Sequence, residues 1–225
     1  AASRQADRVV ASLHTHEGVG GRMNDRSVPS FLESFARDCV DAGADAFLGH
    51  GPHLLRGIEV YDGAPIFYSL GDFAMQNETV GRLPADIYER YDLDPHTAEP
   101  ADLYDARVYR EGDDSDGTAG GEVGASPDAG DEGGERIGFL ADEGFWEGVV
   151  PVCRFEGSTL VAVELHPLDL GADRPRPGRG WPHAAEREHG ARILEGLAER
   201  SEPYGTDIEV EERGSEVVGV VAPGA

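Results

Sequence analysis

The sequence predicts an α/β protein, and three observations carry that prediction. An apolar run, a segment of helical period and a second apolar run succeed one another between Arg8 and Leu48; two strand candidates then flank Asp62-Gly63; a further strand pair around Glu156-Gly157 precedes another helical segment. Two strands joined through a helix are most easily parallel neighbours, with the helix over one sheet face. An Asp-Gly pair between two such runs is the strongest short-range hairpin signal.

Taken in order, Arg8 to Leu13 reads as a buried strand that runs into His14-Thr15-His16-Glu17 and the glycines Gly18, Gly20 and Gly21. A strand leading into a polar, Gly-rich loop is where sites are built. Pro29 to Ala42 is predicted helical: Ser30 and Glu33 have capping-box spacing, Phe31, Leu32, Phe35, Cys39 and Val40 form the expected apolar stripe, and Gly43 supplies the stop. Ala46 to Leu48 is the next strand, ending at Gly49, and His50 and His53 follow on a turn with Gly51 and Pro52. The hairpin of Gly57 to Tyr61 and Pro65 to Ser69 then delivers Ser69-Leu70-Gly71-Asp72 toward the same end.

Residues 77 to 110 read as irregular surface structure, with a short helical hint from Pro84 to Tyr91. Between Glu111 and Glu135 there are nine acids and eight glycines but no basic or aromatic residue. Such a stretch buries too little apolar surface to offset its ordering entropy, so 111–135 is expected to be a disordered linker or insertion, with weak capture of hydrated cations as its alternative use. Order is expected to resume at Phe145-Trp146, with Gly148 to Phe155 and Ser158 to His166 forming the second hairpin and Pro151 marking its first strand as an edge. Asp173 to Pro182 reads as a loop, His183 to Arg200 as a helix carrying Ile193, Leu194 and Leu197, and Val217 to Val221 as a last strand. Three segments result: 1–110, the linker 111–135, and 136–225.

Charge narrows the partners. The 44 acidic residues outnumber 19 basic ones for a formal charge of -25, and every basic residue is Arg. That sign argues against duplex nucleic acid as a partner, and none is expected. Such a surface repels itself unless screened, and at about 1 M salt the Debye length falls to roughly 3 Å, so a halophilic setting is expected; thermal stability rising between about 0.1 M and 2 M KCl is the check. No run approaches the roughly 18 apolar residues of a membrane span, and Ala1 to Arg8 lack the regions of a signal peptide, so the sequence gives no cell address. Cys39 and Cys153 make no disulfide framework and are expected to be buried free thiols.

Four of the eight histidines lie at the exits of the two parallel strands, where His14, His16, His50 and His53 can converge. His14 and His16, two apart on an extended segment, face the same way. Neutral imidazole is the commonest transition-metal ligand, so a metal site is the expected chemistry, with Glu17 as a carboxylate ligand or as the group that orients a histidine. Asp72 can join the site, whereas Glu59 reads as an ordinary strand carboxylate. His96, His166, His183 and His189 read as structural or solvent-facing. Histidines alone are electrically incomplete for two divalent ions, which normally need carboxylates as well. An amidohydrolase reading of His14-Thr15-His16 would require eight strand-helix units, more regular structure than the chain holds.

Val9 to His14, Asp41-Ala-Gly-Ala-Asp-Ala-Phe-Leu-Gly-His-Gly-Pro-His53, Gly57 to Tyr61 and Ile66 to Phe73 together resemble the C-terminal part of the CapA family, the poly-γ-glutamate capsule biosynthesis proteins related to calcineurin-like metallophosphoesterases. The motif-bearing match covers residues 8 to 77, and Phe145 to Thr206 resembles the tails of some members. The resemblance implies the C-terminal portion of a four-layer α/β/β/α sandwich, with its N-terminal portion missing and an upstream half of the same domain as a partner. It also implies divalent metal ions (Mn, Zn or Fe), with His14 matching the family's single histidine ligand and His50 and His53 its paired C-terminal histidines. His16 is then the candidate proton donor. Family members usually carry Asn where Asp72 stands, and many carry Trp-Gly where Thr15-His16 stands, so the choice between His14 and His16 as ligand stays open. The family's earlier Asp, Gly-Asp and Asn-Asn-His motifs have no counterpart here. The implied function is metal-dependent hydrolysis or transfer on a phosphoester substrate or polyanionic polymer, with cell-envelope association. The alternatives are a non-catalytic polymer assembly protein or an inactive fragment.

Overall fold

The computed structural model describes residues 2–75, 80–108 and 142–222, so the acidic segment 111–135 lies outside the described residues. In chain order the elements are β1 (Val10–His14), α1 (Ser30–Asp41), β2 (Ala46–His50), β3 (Ile58–Tyr61), β4 (Ala64–Phe67), α2 (Ala85–Arg90), α3 (Pro100–Val108), β5 (Glu147–Glu156), β6 (Thr159–Asp169), β7 (His183–Ala184), α4 (Arg187–Ser201), β8 (Glu209–Arg213) and β9 (Glu216–Val221). They fall into two units. One comprises Ala1–Phe73, Glu147–Leu170 and Pro182–Ala225; the other comprises Ala74–Trp146 and Gly171–Trp181.

The first unit holds two sheets. In the first, ordered β1-β2-β4-β3, β1 and β2 pair in parallel as expected, in a register that sets Val10 opposite Ala46 and His14 opposite His50. β4 continues the parallel pairing, and β3 returns antiparallel around Asp62 and Gly63, whose φ values of 45° and 77° suit a type I′ turn. One face of this sheet buries Phe47, Ala64, Ile66 and Tyr68 against Leu32, Ala36 and Val40 of α1. Ile58 and Phe67 share the second core with Val149, Val163, Leu165, Val217 and the α4 residues Ile193, Leu194 and Leu197. A fully buried Leu or Ile stabilises the fold by about 2 kcal/mol relative to exposure, so these two clusters fix the sheet from both sides.

The second sheet is antiparallel, ordered β5-β6-β9-β8, with β7 beside β6. β5 ends the order, which agrees with Pro151 as an edge-strand residue. The β5–β6 hairpin turns at Gly157 and runs to Asp169, three residues past its expected end.

Several expectations are corrected. The stripe of α1 that enters the core is Leu32, Ala36 and Val40, while Phe31 and Phe35 are 49% and 44% exposed. The capping box does not form, because Pro29 takes the N-cap position and its carbonyl accepts from the Leu32 and Glu33 amides. Gly43 ends the helix as predicted, at φ 97°. His183 and Ala184 form β7, so α4 begins only at Arg187. In the second unit, α3 forms where irregular structure was expected; its Ala101, Leu103 and Ala106 are buried, and Leu103 and Ala106 form a small core with Leu93. Among the described residues no helix is long and apolar enough to cross a membrane.

Candidate functional site

The parallel pairing of β1 and β2 places the histidines. Two glycines let the strands exit so close together. A Cβ on Gly49 would lie 2.4 Å from the Tyr68 carbonyl oxygen, and one on Gly51, at φ 121°, would lie 2.8 Å from that of Thr15. The Thr15 amide donates to the His50 carbonyl at 2.8 Å and locks the two exits side by side.

Three imidazoles then form a chain. Nδ1 of His14 and Nδ1 of His50 are 2.9 Å apart, and Nε2 of His14 is 2.9 Å from Nε2 of His16. At the ends, His16 Nδ1 meets Asn24 Oδ1 at 2.8 Å and His50 Nε2 meets Ser12 Oγ at 3.1 Å. One assignment of protons satisfies every link with neutral rings. His16 donates from Nδ1 to Asn24, His14 from Nε2 to His16, His50 from Nδ1 to His14, and the Ser12 hydroxyl donates to His50. The pKa of His14 lies below the ordinary histidine value, first through partial desolvation and then through the like charges that His16, His50 and His53 would carry. Neutral rings with lone pairs are the form that ligates metal.

His53 is held separately. Its Nδ1 donates to Asp72, 3.0 Å and 3.1 Å from the two carboxylate oxygens, and its backbone sits at φ 60°, which is strained for a residue with a Cβ. Its ring lies 5.4 Å from that of His16. Glu17 accepts from the Thr15 hydroxyl, and that bond is the first cause holding its carboxyl below the usual range. Asp72 therefore orients His53, and Glu17 is tied to Thr15. Glu59 lies elsewhere, buried and bonded by Tyr68 and Arg37.

Ser12, Asn24 and Arg56 were not singled out from the sequence. Ser12 had a signal, since it shares a strand face with His14. Asn24 had none, because its place depends on a loop that doubles back through an Asn24 amide bond to the His16 carbonyl at 3.0 Å. Arg56 is fully buried; its Nε donates to the Asp25 carbonyl at 2.9 Å and its Nη2 to the Glu17 carbonyl at 2.8 Å, which pins both ends of that loop. A cation set in the apolar run Leu54-Leu55-Arg56-Gly57-Ile58 was the available cue.

Among the described residues no three His, Cys, Asp or Glu side chains surround a common point as they would around a metal ion; the histidines form a chain. The two 2.9 Å contacts use opposite nitrogens of His14, Nδ1 toward His50 and Nε2 toward His16, so they are links of a hydrogen-bonded chain and not edges of one coordination shell. Imidazole is nonetheless the donor type a transition metal takes, and the Asp72 carboxylate stands behind His53 as an orienting group does behind a ligating imidazole.

A sheet that gathers imidazoles at the exits of its parallel strands defines an α/β protein with a strand-end site. Residues 1–77 match the family model described as bacterial capsule synthesis protein PGA_cap, and this part of the chain is similar to CapA proteins. Protein y4sH of Sinorhizobium fredii is 38% identical over 208 residues, covering 92% of this chain and 40% of that protein. PGA biosynthesis protein CapA of Bacillus subtilis is 46% identical over 72 residues, 32% of this chain and 18% of that protein. Capsule biosynthesis protein CapA of Bacillus anthracis is 43% identical over 68 residues, 30% and 15% of the two chains. The chain thus spans well under half the length of these relatives.

Proposed function

We propose that this chain acts in the synthesis of a capsule-type polymer of the poly-γ-glutamate class, and that its histidines form one wall of a divalent-metal site for hydrolysis or transfer at a phosphoester or amide. The names of the Bacillus relatives support the biological role. The observation that carries the chemical reading is the meeting of four imidazoles at two strand exits, one of them backed by the Asp72 carboxylate.

His50, His53 and one of the pair His14 and His16 would hold the ion, and the other of that pair would move a proton. When bound, the ion would activate water and polarise the scissile group. The chain's own residues do the rest: Arg56 and Asn24 fix the first loop, Asp72 orients His53, and the neutral state of His14 keeps it competent for ligation or proton transfer. Carboxylates from outside the cluster are needed for a second ion, and a four-layer sandwich completed by a further polypeptide segment would supply them.

Titration of the purified chain with Mn²⁺, Zn²⁺ and Fe²⁺, followed by assay on a phosphodiester, tests the reading. Metal binding, with hydrolysis that is lost on chelation and in His50→Ala with His53→Ala, is the expected result. Absence of metal binding in the wild type would overturn the reading. Poly-γ-glutamate binding that survives chelation, without hydrolysis, would instead establish an assembly platform, even though the charge of -25 opposes contact with a polyanion.

A further inference from the structure

We infer that the free edge of β1, flanked by Phe31 and Phe35 of α1, is a strand-docking site, and that its occupant is a β-strand of a further polypeptide segment such as y4sH carries beyond the matched region. The inference rests on the reading that a further segment completes the fold, and it names the surface through which that segment joins.

Four strands end the two sheet orders: β1 and β3 in the first, β5 and β8 in the second. An unpaired edge is a template for another strand, and proteins block the edges they leave open. Three of these four are blocked. At β3 the outward amides of Ile58 and Val60 donate to Ser201 Oγ at 2.9 Å and to Thr206 Oγ1 at 3.3 Å. β5 carries Pro151 and a register shift between Arg154 and Phe155, and β8 presents Glu209, Glu211, Glu212 and Arg213. β1, by contrast, is Val10-Ala-Ser-Leu-His14, with no proline, no Arg, Asp or Glu, and an unbroken register.

Its backbone is aimed outward in a regular way. The Thr15 amide donates to the His50 carbonyl at 2.8 Å, and the Val9 carbonyl accepts from the Asp45 amide at 2.7 Å, so the odd-numbered residues face β2. The N–H and C=O groups of Val10, Ser12 and His14 therefore point away from it, and among the described residues β2 is the one strand paired with β1.

The flank of that edge is apolar. Arg37 of α1 reaches Glu59 on β3, and Glu33 accepts from Tyr204; at about 100° per residue, Phe31 and Phe35 stand on the opposite flank of the helix, toward β1. They are 49% and 44% exposed, and Ala11 and Leu13 beneath that side are only partly buried. On the other face of β1, Val10 is 56% exposed. A strand fits both needs, since its backbone completes the ladder while its alternate side chains cover Phe31, Phe35, Ala11 and Leu13 on one face and Val10 on the other. A lipid surface would leave the outward amides unsatisfied, and a second copy would bring together two chains of charge -25. The y4sH protein has the length to supply the strand, because its match takes in 92% of this chain but 40% of that protein.

Hydrogen exchange read residue by residue by mass spectrometry, on this chain in about 1 M KCl and on intact y4sH, tests the docking. In this chain, expected to sediment as a monomer, the amides of Val10, Ser12 and His14 should exchange fast beside slow Ala11 and Leu13; at the aligned positions of y4sH all five should be slow. Thermal melts give a second reading. Val10→Pro removes an outward donor and leaves the ladder to β2 intact; it and Phe31→Lys should each shift the midpoint of this chain by less than about 1 °C, whereas proline and lysine at the aligned positions of y4sH should lower its midpoint by about 2–4 °C. Fast exchange at those positions of y4sH, or equal shifts in the two proteins, would overturn the inference. A dimer of this chain with its own β1 amides protected would overturn it too, by assigning the edge to a second copy. Should a variant fail to fold, exchange in the two wild-type proteins decides alone. No measurement here involves a metal, so loss of metal binding would strike the proposed site and leave this edge untouched, and a free edge in y4sH would do the converse.

Discussion

Two polar clusters sit on the same four-stranded sheet, and they are built on opposite plans. In the first, Glu59 is 7% exposed and accepts from the Tyr68 hydroxyl at 2.5 Å and from Arg37 Nε at 3.1 Å and 3.2 Å; nearby, the Tyr204 hydroxyl donates to Glu33 at 3.1 Å. Opposite charges meet in it and the carboxylate is closed off from water. Burial first, and then Glu59, push the Tyr68 hydroxyl far above its ordinary range, while the bond to Glu59 raises Arg37. The second cluster is built of imidazoles, with Ser12, Asn24 and the Asp72 carboxylate at its margins, and its His14 and His50 rings are exposed. A cluster that satisfies itself with both signs of charge has nothing left to offer a ligand. One made of neutral bases linked donor to lone pair can exchange those links for a cation.

That contrast can be broken by experiment. The largest effect is expected from Glu59→Ala, which strands Arg37 and the Tyr68 hydroxyl: a loss of about 2–3 kcal/mol in urea denaturation, below the 3–5 kcal/mol of a fully buried pair because Arg37 is partly solvated, with zinc affinity unchanged. His53→Gly should do the reverse. Relief of its positive φ, worth about 1 kcal/mol, offsets the lost bond to Asp72, so stability moves by less than about 1 kcal/mol while zinc binding falls away. A large destabilisation there would place His53 with the structural cluster.

A smaller effect concerns pH. Asp25 lies below its ordinary value of 3.8, first because the Ser27 hydroxyl donates to it. A depressed carboxylate stabilises the fold fully above its unfolded value, and that contribution disappears as pH falls through the lower folded value. Asp25→Asn should therefore flatten the stability curve below about pH 4, read by thermal melts across the acid range. The smallest change is expected from Ser12→Ala at the exposed end of the imidazole chain, within about 0.5 kcal/mol by the same denaturation assay.

The parallel β1–α1–β2 unit was legible because its signals are local: two apolar runs, a helical period and a glycine stop at Gly43. The four histidines were legible for the same reason, since strand exits can be found from the runs that precede them. What decides their chemistry was not. Whether a ring carries its proton on Nδ1 or Nε2 depends on Asn24 and Asp72, which reach it across loops whose course no periodicity describes. The phase of α1 was missed by one residue because Phe31 and Phe35 are larger than Ala36, yet Ala36 is the one that lets the helix approach Phe47 and Ile66. β8 was hidden by its composition. Glu209, Glu211, Glu212 and Arg213 form no apolar run, and the strand forms because its backbone pairs with the apolar β9 from Glu209–Val220 to Arg213–Glu216.

Arg56 binds the histidine loop through main-chain oxygens, those of Glu17 and Asp25. Such a clamp is indifferent to the side chains it spans. Between its two grips, Val19 and Met23 are 50% and 59% exposed and take no part in either bond. The Val19 and Met23 side chains can thus be exchanged without touching the main-chain bonds by which Arg56 holds the loop that carries His16.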